Sequence, residues 1–173
     1  YSTIDKVVDA GINQLRLLTL IVLDGSELGT DAEINKFNIK TRYRVVHRSF
    51  GTYGISGEKF PSVEIEEVCV ENQSLPFEDY VECRRFALTV TLFYSDKIMF
   101  ELTQFVKHMG FKVSQWLHYV HEGYEKFPKK LAEIYEHFTE ETKEELAESK
   151  EDFERWLKYE PGVMDDYING KRG

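Results

Sequence analysis

The sequence predicts an α+β fold: a short α/β unit over residues 1–37, a β-containing connector over 38–72, and a mainly helical region over 73–173. Three observations carry this. The run Gln14-Leu15-Arg16-Leu17-Leu18-Thr19-Leu20-Ile21-Val22-Leu23 is leucine-rich and apolar, as in a strand covered on both faces. Val63-Glu64-Ile65-Glu66 alternates apolar and charged residues with period two. From Ser74 onward the apolar period changes to that of a helix.

Each element has its own signals. Ser2 or Thr3 caps a first helix with Ile4, Val7 and Val8 on one side, and Gly11 stands where a left-handed cap belongs. The 14–23 run follows, and helix then buried strand is half of an α/β unit. The chain offers that strand no neighbours, so further strands are expected before Tyr1. The segment 24–30 breaks the run with two glycines, and Thr30 caps a short helix over 31–37. A β segment is expected at 41–46, a glycine-punctuated loop or irregular hairpin at 49–57, and a strand over 63–70 with a bulge at Glu67.

The helical region divides into five expected helices. The first runs from Ser74 to about Tyr94 with Tyr80, Val81, Phe86, Ala87, Val90 and Phe93 inward. The second opens at Ser95-Asp96, turns Met99, Leu102, Phe105, Val106 and Met109 inward, and stops at Gly110. A short third spans 114–121, and a fourth spans 129–138. Thr139 is expected to cap a long fifth helix ending near Tyr159, with Leu146, Phe153, Trp156 and Leu157 as its narrow apolar stripe. The tail from Val163 shows no clear period.

The chain has 173 residues and a net charge of −9, unevenly spread. Residues 34–61 carry six bases against one acid, whereas 24 acids face 14 bases from residue 62 onward. Overall acidity argues against nucleic acid or an anionic membrane as the main partner. No apolar run approaches the roughly 20 residues that a membrane-spanning helix needs. Two cysteines without close spacing, Cys69 and Cys83, fit a reducing compartment, so a cytoplasmic protein is expected.

Candidate chemistry is sparse. A Gly-containing turn at the carboxyl end of a buried strand is where α/β sheets bind ligands, which singles out Gly25, Ser26 and Glu27. A plain βα turn explains the same residues. Arg42 and Arg44 alternate with apolar and aromatic residues and would share a strand face, where they could hold a phosphate or carboxylate. The plainer account pairs them with the acidic helices of the same chain. His118, His121 and Glu122 have helical metal-ligand spacing, but two histidines on the solvent side of a helix account for them more simply. No phosphate loop, dinucleotide fingerprint or nucleophile elbow occurs, so no self-sufficient active site is expected.

Two passages resemble a family. Leu20-Ile21-Val22-Leu23-Asp24-Gly25-Ser26-Glu27-Leu28, followed by Thr41-Arg42-Tyr43-Arg44-Val45, is similar to the segment closing the barrel in cobalamin-binding radical S-adenosylmethionine proteins. There a buried strand enters a Pro-Gly-Thr-Glu-like turn, and Asp24 stands here in place of the proline. Glu66-Glu67-Val68-Cys69-Val70, with Ser74-Leu75-Pro76-Phe77-Glu78-Asp79-Tyr80, resembles the family's step into its carboxy-terminal helices. Together the passages span residues 12–100. The Cys-x3-Cys-x2-Cys that binds the cluster is absent. The resemblance implies a parent enzyme using a 4Fe–4S cluster, S-adenosylmethionine and cobalamin, all bound by upstream domains, and acting on a small-molecule substrate. This chain would then be its carboxy-terminal accessory region, with Gly25, Ser26 and Glu27 lining the pocket. Two other readings stand beside it: a non-catalytic helical module binding a protein partner, and a small anion-binding domain using Arg42, Arg44 and the Ser26–Glu27 turn.

Overall fold

The computed structural model of the chain describes residues 2–172. The fold is α+β: eight helices and one antiparallel two-stranded sheet among the described residues. In order these are α1 (Ser2–Asp9), α2 (Asp31–Phe37), β1 (Lys40–Ile55), β2 (Glu58–Glu71), α3 (Phe77–Phe93), α4 (Phe100–His108), α5 (Val113–Glu122), α6 (Lys129–Glu144), α7 (Lys150–Tyr159) and α8 (Val163–Ile168). Contacts group the chain into two compact units, each built from two stretches of sequence. The first is Tyr1–Leu18 with Val81–Glu141, and the second is Thr19–Tyr80 with Thr142–Gly173.

The first unit is helical. Its core joins Val8 of α1, Phe86 and Val90 of α3, Val106 of α4, and Val113 and Leu117 of α5. Polar bonds fix α1 in place. The Tyr94 hydroxyl donates to the Val8 carbonyl at 3.0 Å. Asp9 accepts both the backbone N–H (3.0 Å) and the hydroxyl (2.8 Å) of Ser114, which satisfies donors at the start of α5. Gly11 turns the chain out of α1 at φ 84°, as its position after the apolar stripe predicts.

The second unit is a long hairpin with helices packed on it. Ser56 and Gly57 form its tip with φ of 53° and 87°, the doubly positive pair of a type I′ turn. Of the two readings of the glycine-rich stretch 49–57, the irregular hairpin holds: residues 49–55 are strand, and the two-residue turn sets their register. The expected bulge at Glu67 is absent. The register slips instead at Val70, between the pairs Lys40↔Glu71 and Thr41↔Cys69, and on β1 between Val45 and Phe50, where Arg48 takes φ 63°. One face of the hairpin (Tyr43, Val45, Phe50, Val63, Ile65) packs against Phe153, Leu157, Val163 and Tyr167. A smaller core joins Val22, Ile39 and Cys69 to Leu28, Ile34 and Phe37 of the turn and α2. Thr30 caps α2, accepting from the Glu33 N–H.

Three further sequence expectations need correction, and the tail, for which the sequence gives no period, takes a defined structure. The run 14–23 is not a buried strand: it is extended chain with a single antiparallel bridge, Ile21↔Val68, and Leu18 is 85% exposed. A strand covered on both faces needs two neighbours, and this run meets only one strand edge. Leu102, Phe105 and Met109 of α4 are exposed rather than inward, and Val106 alone of the expected face is buried. Thr139 does not start a helix. Its hydroxyl donates to the Tyr135 carbonyl inside a continuous α6, and the break comes later, at 145–149, where Ala147 bridges Tyr43 and Ser149 caps α7. The tail is ordered from Val163 as α8, with Val163 and Tyr167 buried.

Arg44 joins the strands to the segment between α6 and α7. Its side chain is 5% exposed, with Nε 2.7 Å from Glu66 and Nη1 2.9 Å from Glu145. Burial alone would make this guanidinium easier to deprotonate, but the two carboxylates outweigh it and hold the charge. Removing the cation would leave two mostly buried carboxylates without a partner. Arg44→Met is therefore expected to lower the unfolding free energy by about 3 kcal/mol, measured by urea denaturation. A loss below about 1 kcal/mol would contradict this account.

Candidate functional site

The turn singled out by sequence closes on itself. Asp24 and Gly25 reverse the chain, with Gly25 at φ 79°. The Ser26 hydroxyl donates to the Leu23 carbonyl at 2.7 Å and accepts the Gly29 N–H at 3.1 Å. The Glu27 carbonyl accepts the Thr30 hydroxyl at 2.8 Å. A side chain on Gly29 would come within 2.5 Å of the Leu23 oxygen, so this residue must be glycine for the turn to stay this tight. Ser26 thus spends its hydroxyl inside the turn. Leu28, at the turn's far end, lines a recess of about 200 Å³ with Leu20, Phe37, Ile39 and Cys69.

Arg42 and Arg44 lie two residues apart on β1, and both meet acids of their own chain. Arg44 is buried in the two ion pairs described above. Arg42 lies 3.5 Å from Glu148 and stacks 4.6 Å over the Phe77 ring. Lys40 beside it pairs with Glu71. Lys40 and Arg42, with Glu71, Phe77 and Glu148, border a recess of about 290 Å³ that does not include Arg44. Lys40, Arg42 and Arg44 are thus each matched with local carboxylates.

Sequence reasoning missed the most connected polar cluster, which lies in the helical unit. Glu82 on α3 accepts from Arg85 and lies 2.6 Å from His121 Nε2. His121 Nδ1 is 3.1 Å from the Thr89 hydroxyl, which is 2.8 Å from the Tyr135 hydroxyl. Arg85 stacks 4.5 Å over Tyr124, and Tyr124 stacks in turn on Tyr135. His121 therefore faces inward, not to solvent as expected. Its partners Glu82 and Thr89 sit seven residues apart on α3, a same-face spacing that was the available signal.

A carboxylate–imidazole–hydroxyl chain is the arrangement that activates nucleophiles. Here the hydroxyl is fully buried between His121 and Tyr135, so no substrate can reach it. The cluster ties α3, α5 and α6 together. Burial pushes the Tyr135 phenol up, while the bond from Thr89 and the charge of Arg85 pull it down, with a net rise.

His118 takes a different carboxylate, Asp5 at 2.8 Å, and stacks on Phe86 at 4.8 Å. The two histidines of the metal-spaced pair thus face separate acids. Among the described residues no group of three or more His, Cys, Asp or Glu side chains could hold a metal ion. A 4Fe–4S cluster needs three or four thiolates, and Cys69 (buried) and Cys83 (exposed) are the two cysteines of this chain. Its residues do not fit that group. No helix among the described residues is long and apolar enough to cross a membrane.

A comparison with protein-family models and with curated proteins finds no match to the chain.

Two outcomes are expected. Thr89→Val strands both His121 Nδ1 and the Tyr135 hydroxyl in the core, and should cost about 2 kcal/mol of stability, read from thermal or urea unfolding. Burial pushes the Cys69 thiol up and shields it. Alkylation at mildly alkaline pH should modify Cys83 in the folded protein and reach Cys69 only after denaturation, as peptide mapping would reveal.

Proposed function

We propose that the chain is the carboxy-terminal accessory region of a cobalamin-binding radical S-adenosylmethionine enzyme. It caps the barrel and helps shape the pocket for a small-molecule substrate, and does no chemistry alone. The observation that carries this reading is the exposure of the segment whose sequence reads as a barrel strand. Leu20 and Leu23 are 52% and 61% exposed, and one bridge at Ile21 is the segment's pairing with the sheet. Apolar surface left in water forgoes about 25 cal/mol per Å², which neighbouring barrel strands would recover.

The helical unit supports the same reading. Leu102, Phe105 and Met109, on α4 and its carboxyl-terminal cap, are spaced three and four residues apart, so they form one stripe, and all three are exposed. A cap needs such a face toward the body it covers. That stripe equally favours the second reading, a helical module that binds a protein partner. Anion binding has less support, because Lys40, Arg42 and Arg44 are each paired with a carboxylate of the chain. Since two thiols cannot hold the cluster, the cluster, S-adenosylmethionine and cobalamin belong to upstream domains. Such an enzyme works in the cytoplasm.

The test begins with the reading frame 5′ of the codon for Tyr1, which is expected to encode Cys-x3-Cys-x2-Cys. The polypeptide it specifies, reconstituted anaerobically with iron and sulfide, is expected to cleave S-adenosylmethionine to 5′-deoxyadenosine. Within that polypeptide, Leu20→Asp with Leu23→Asp should lower turnover by about tenfold or more, equivalent to about 1.4 kcal/mol. A frame lacking the motif, or a polypeptide that leaves S-adenosylmethionine intact, overturns the proposal in favour of the helical module.

A further inference from the structure

The hairpin has an edge that its own chain uses for only part of its length. Leu20 and Val22 begin a third strand on the outer side of β2. The Val22 N–H donates to the Glu67 carbonyl, and the Cys69 N–H to the Leu20 carbonyl, both at 2.8 Å. That pattern fixes which backbone groups of β2 point away from β1: those of residues 67 and 69, and by the alternation of the strand those of Val63 and Ile65. Pro61 follows the same parity. A proline is tolerated in a strand where its missing N–H faces outward. The third strand stops because the chain turns at Asp24 and Gly25, so Val63 and Ile65 keep outward donors and acceptors with no partner strand.

Beside this edge lies a recess of about 700 Å³. Residues 61–65 of β2 form one wall, and α7 forms the other with Lys150, Glu154, Leu157 and Lys158. A strand edge facing a helix across an open groove is the geometry by which an extended peptide is added to a sheet. The charges on the helix wall specify more. Lys150, Glu154 and Lys158 follow one another at intervals of four residues, about 6 Å along the helix axis. Same-side residues of an extended chain recur at about 6.7 Å, nearly the same interval. All three side chains are exposed, and none makes an ion pair with another described residue.

We propose that this groove docks an extended peptide whose alternate residues are acidic, basic and acidic, added to β2 as a strand in line with Leu20–Val22. The main-chain bonds of Val63 and Ile65 hold it, Leu157 packs beneath it, and Lys150, Glu154 and Lys158 select its charge order. The proposal does not depend on the radical S-adenosylmethionine reading.

The probe is the peptide acetyl-Thr-Glu-Val-Lys-Val-Glu-Thr-amide carrying a fluorophore, titrated with the full chain by fluorescence anisotropy. The control exchanges the charges: acetyl-Thr-Lys-Val-Glu-Val-Lys-Thr-amide. The first should bind at least about tenfold more tightly than the second, from three charge contacts exchanged for three repulsions. The triple variant K150E/E154K/K158E changes only exposed side chains, and circular dichroism checks its fold. It should reverse the preference. N-methylating the central Val-Lys-Val backbone of the first peptide should abolish binding. Equal binding of both peptides, no binding of either, or an unchanged preference in the triple variant overturns the proposal.

Discussion

Two antiparallel strands bury too little to persist alone in water, and the second unit is organised around that constraint. The hairpin of β1 and β2 has two faces and two edges, and the rest of the unit is spent on covering them. Helices α7 and α8 take one face through Phe153, Leu157, Val163 and Tyr167. One edge receives Ala147 against Tyr43, and the other receives Ile21 against Val68. Ile21 belongs to the run that the sequence presents as a buried strand, and Ala147 to the stretch that it presents as one long helix. The break between α6 and α7 exists where it does because residues 145–149 are needed as a β partner and as the source of Glu145 for Arg44.

The same logic explains the basic stripe of β1. A buried guanidinium is tolerable only with its donors satisfied and its charge matched. Arg44 meets both conditions through a carboxylate from the opposite strand and one from the chain crossing the edge. Arg42 and Lys40, more exposed, repeat the arrangement with Glu148 and Glu71. Three bases of the positive segment, Lys40, Arg42 and Arg44, therefore find their counter-charges in the acidic remainder of the chain. Charge that reads along the sequence as a binding signal is consumed in holding the hairpin's edge.

What could be read from sequence followed from local rules. The caps at Thr30 and Gly11, the body of α3 with Phe86 and Val90 inward, and the α+β class all depend on neighbours a few residues apart. The misread elements depend on distant partners. Ser56-Gly57 does not resemble the usual Asn-Gly hairpin turn, so the sequence left a loop and an irregular hairpin as alternatives there. The expected cap at Thr139 failed because a threonine inside a helix can bond back to the carbonyl four residues earlier. His121 looked like a solvent residue because its partners Glu82, Thr89 and Tyr135 come from two other helices. Of the candidate site residues, the turn at Gly25, Ser26 and Glu27 was located correctly as a turn, but its internal hydrogen bonds are long-range only by a few residues and still escaped the pattern.

Two groups of the exposed apolar residues are patterned rather than scattered. On α4 they recur at helical intervals, and from Leu18 to Leu23 they form a dense strand-like run. Single exposed leucines need no explanation, because folded proteins show much apolar surface. Periodicity is different, since it arises only where one side of an element is repeatedly required to be apolar. The period in α4 is regular enough that Leu102, Phe105 and Met109 were read as inward, and the chain does not bury them. Packing within the helical unit accounts for Thr103 and Val106 of α4, and for Leu15 and Leu17 of the extended segment. Leu102, Phe105 and Met109 stay exposed, so the period of α4 reads on the sequence as a buried face while the packing within the unit takes up only Thr103 and Val106.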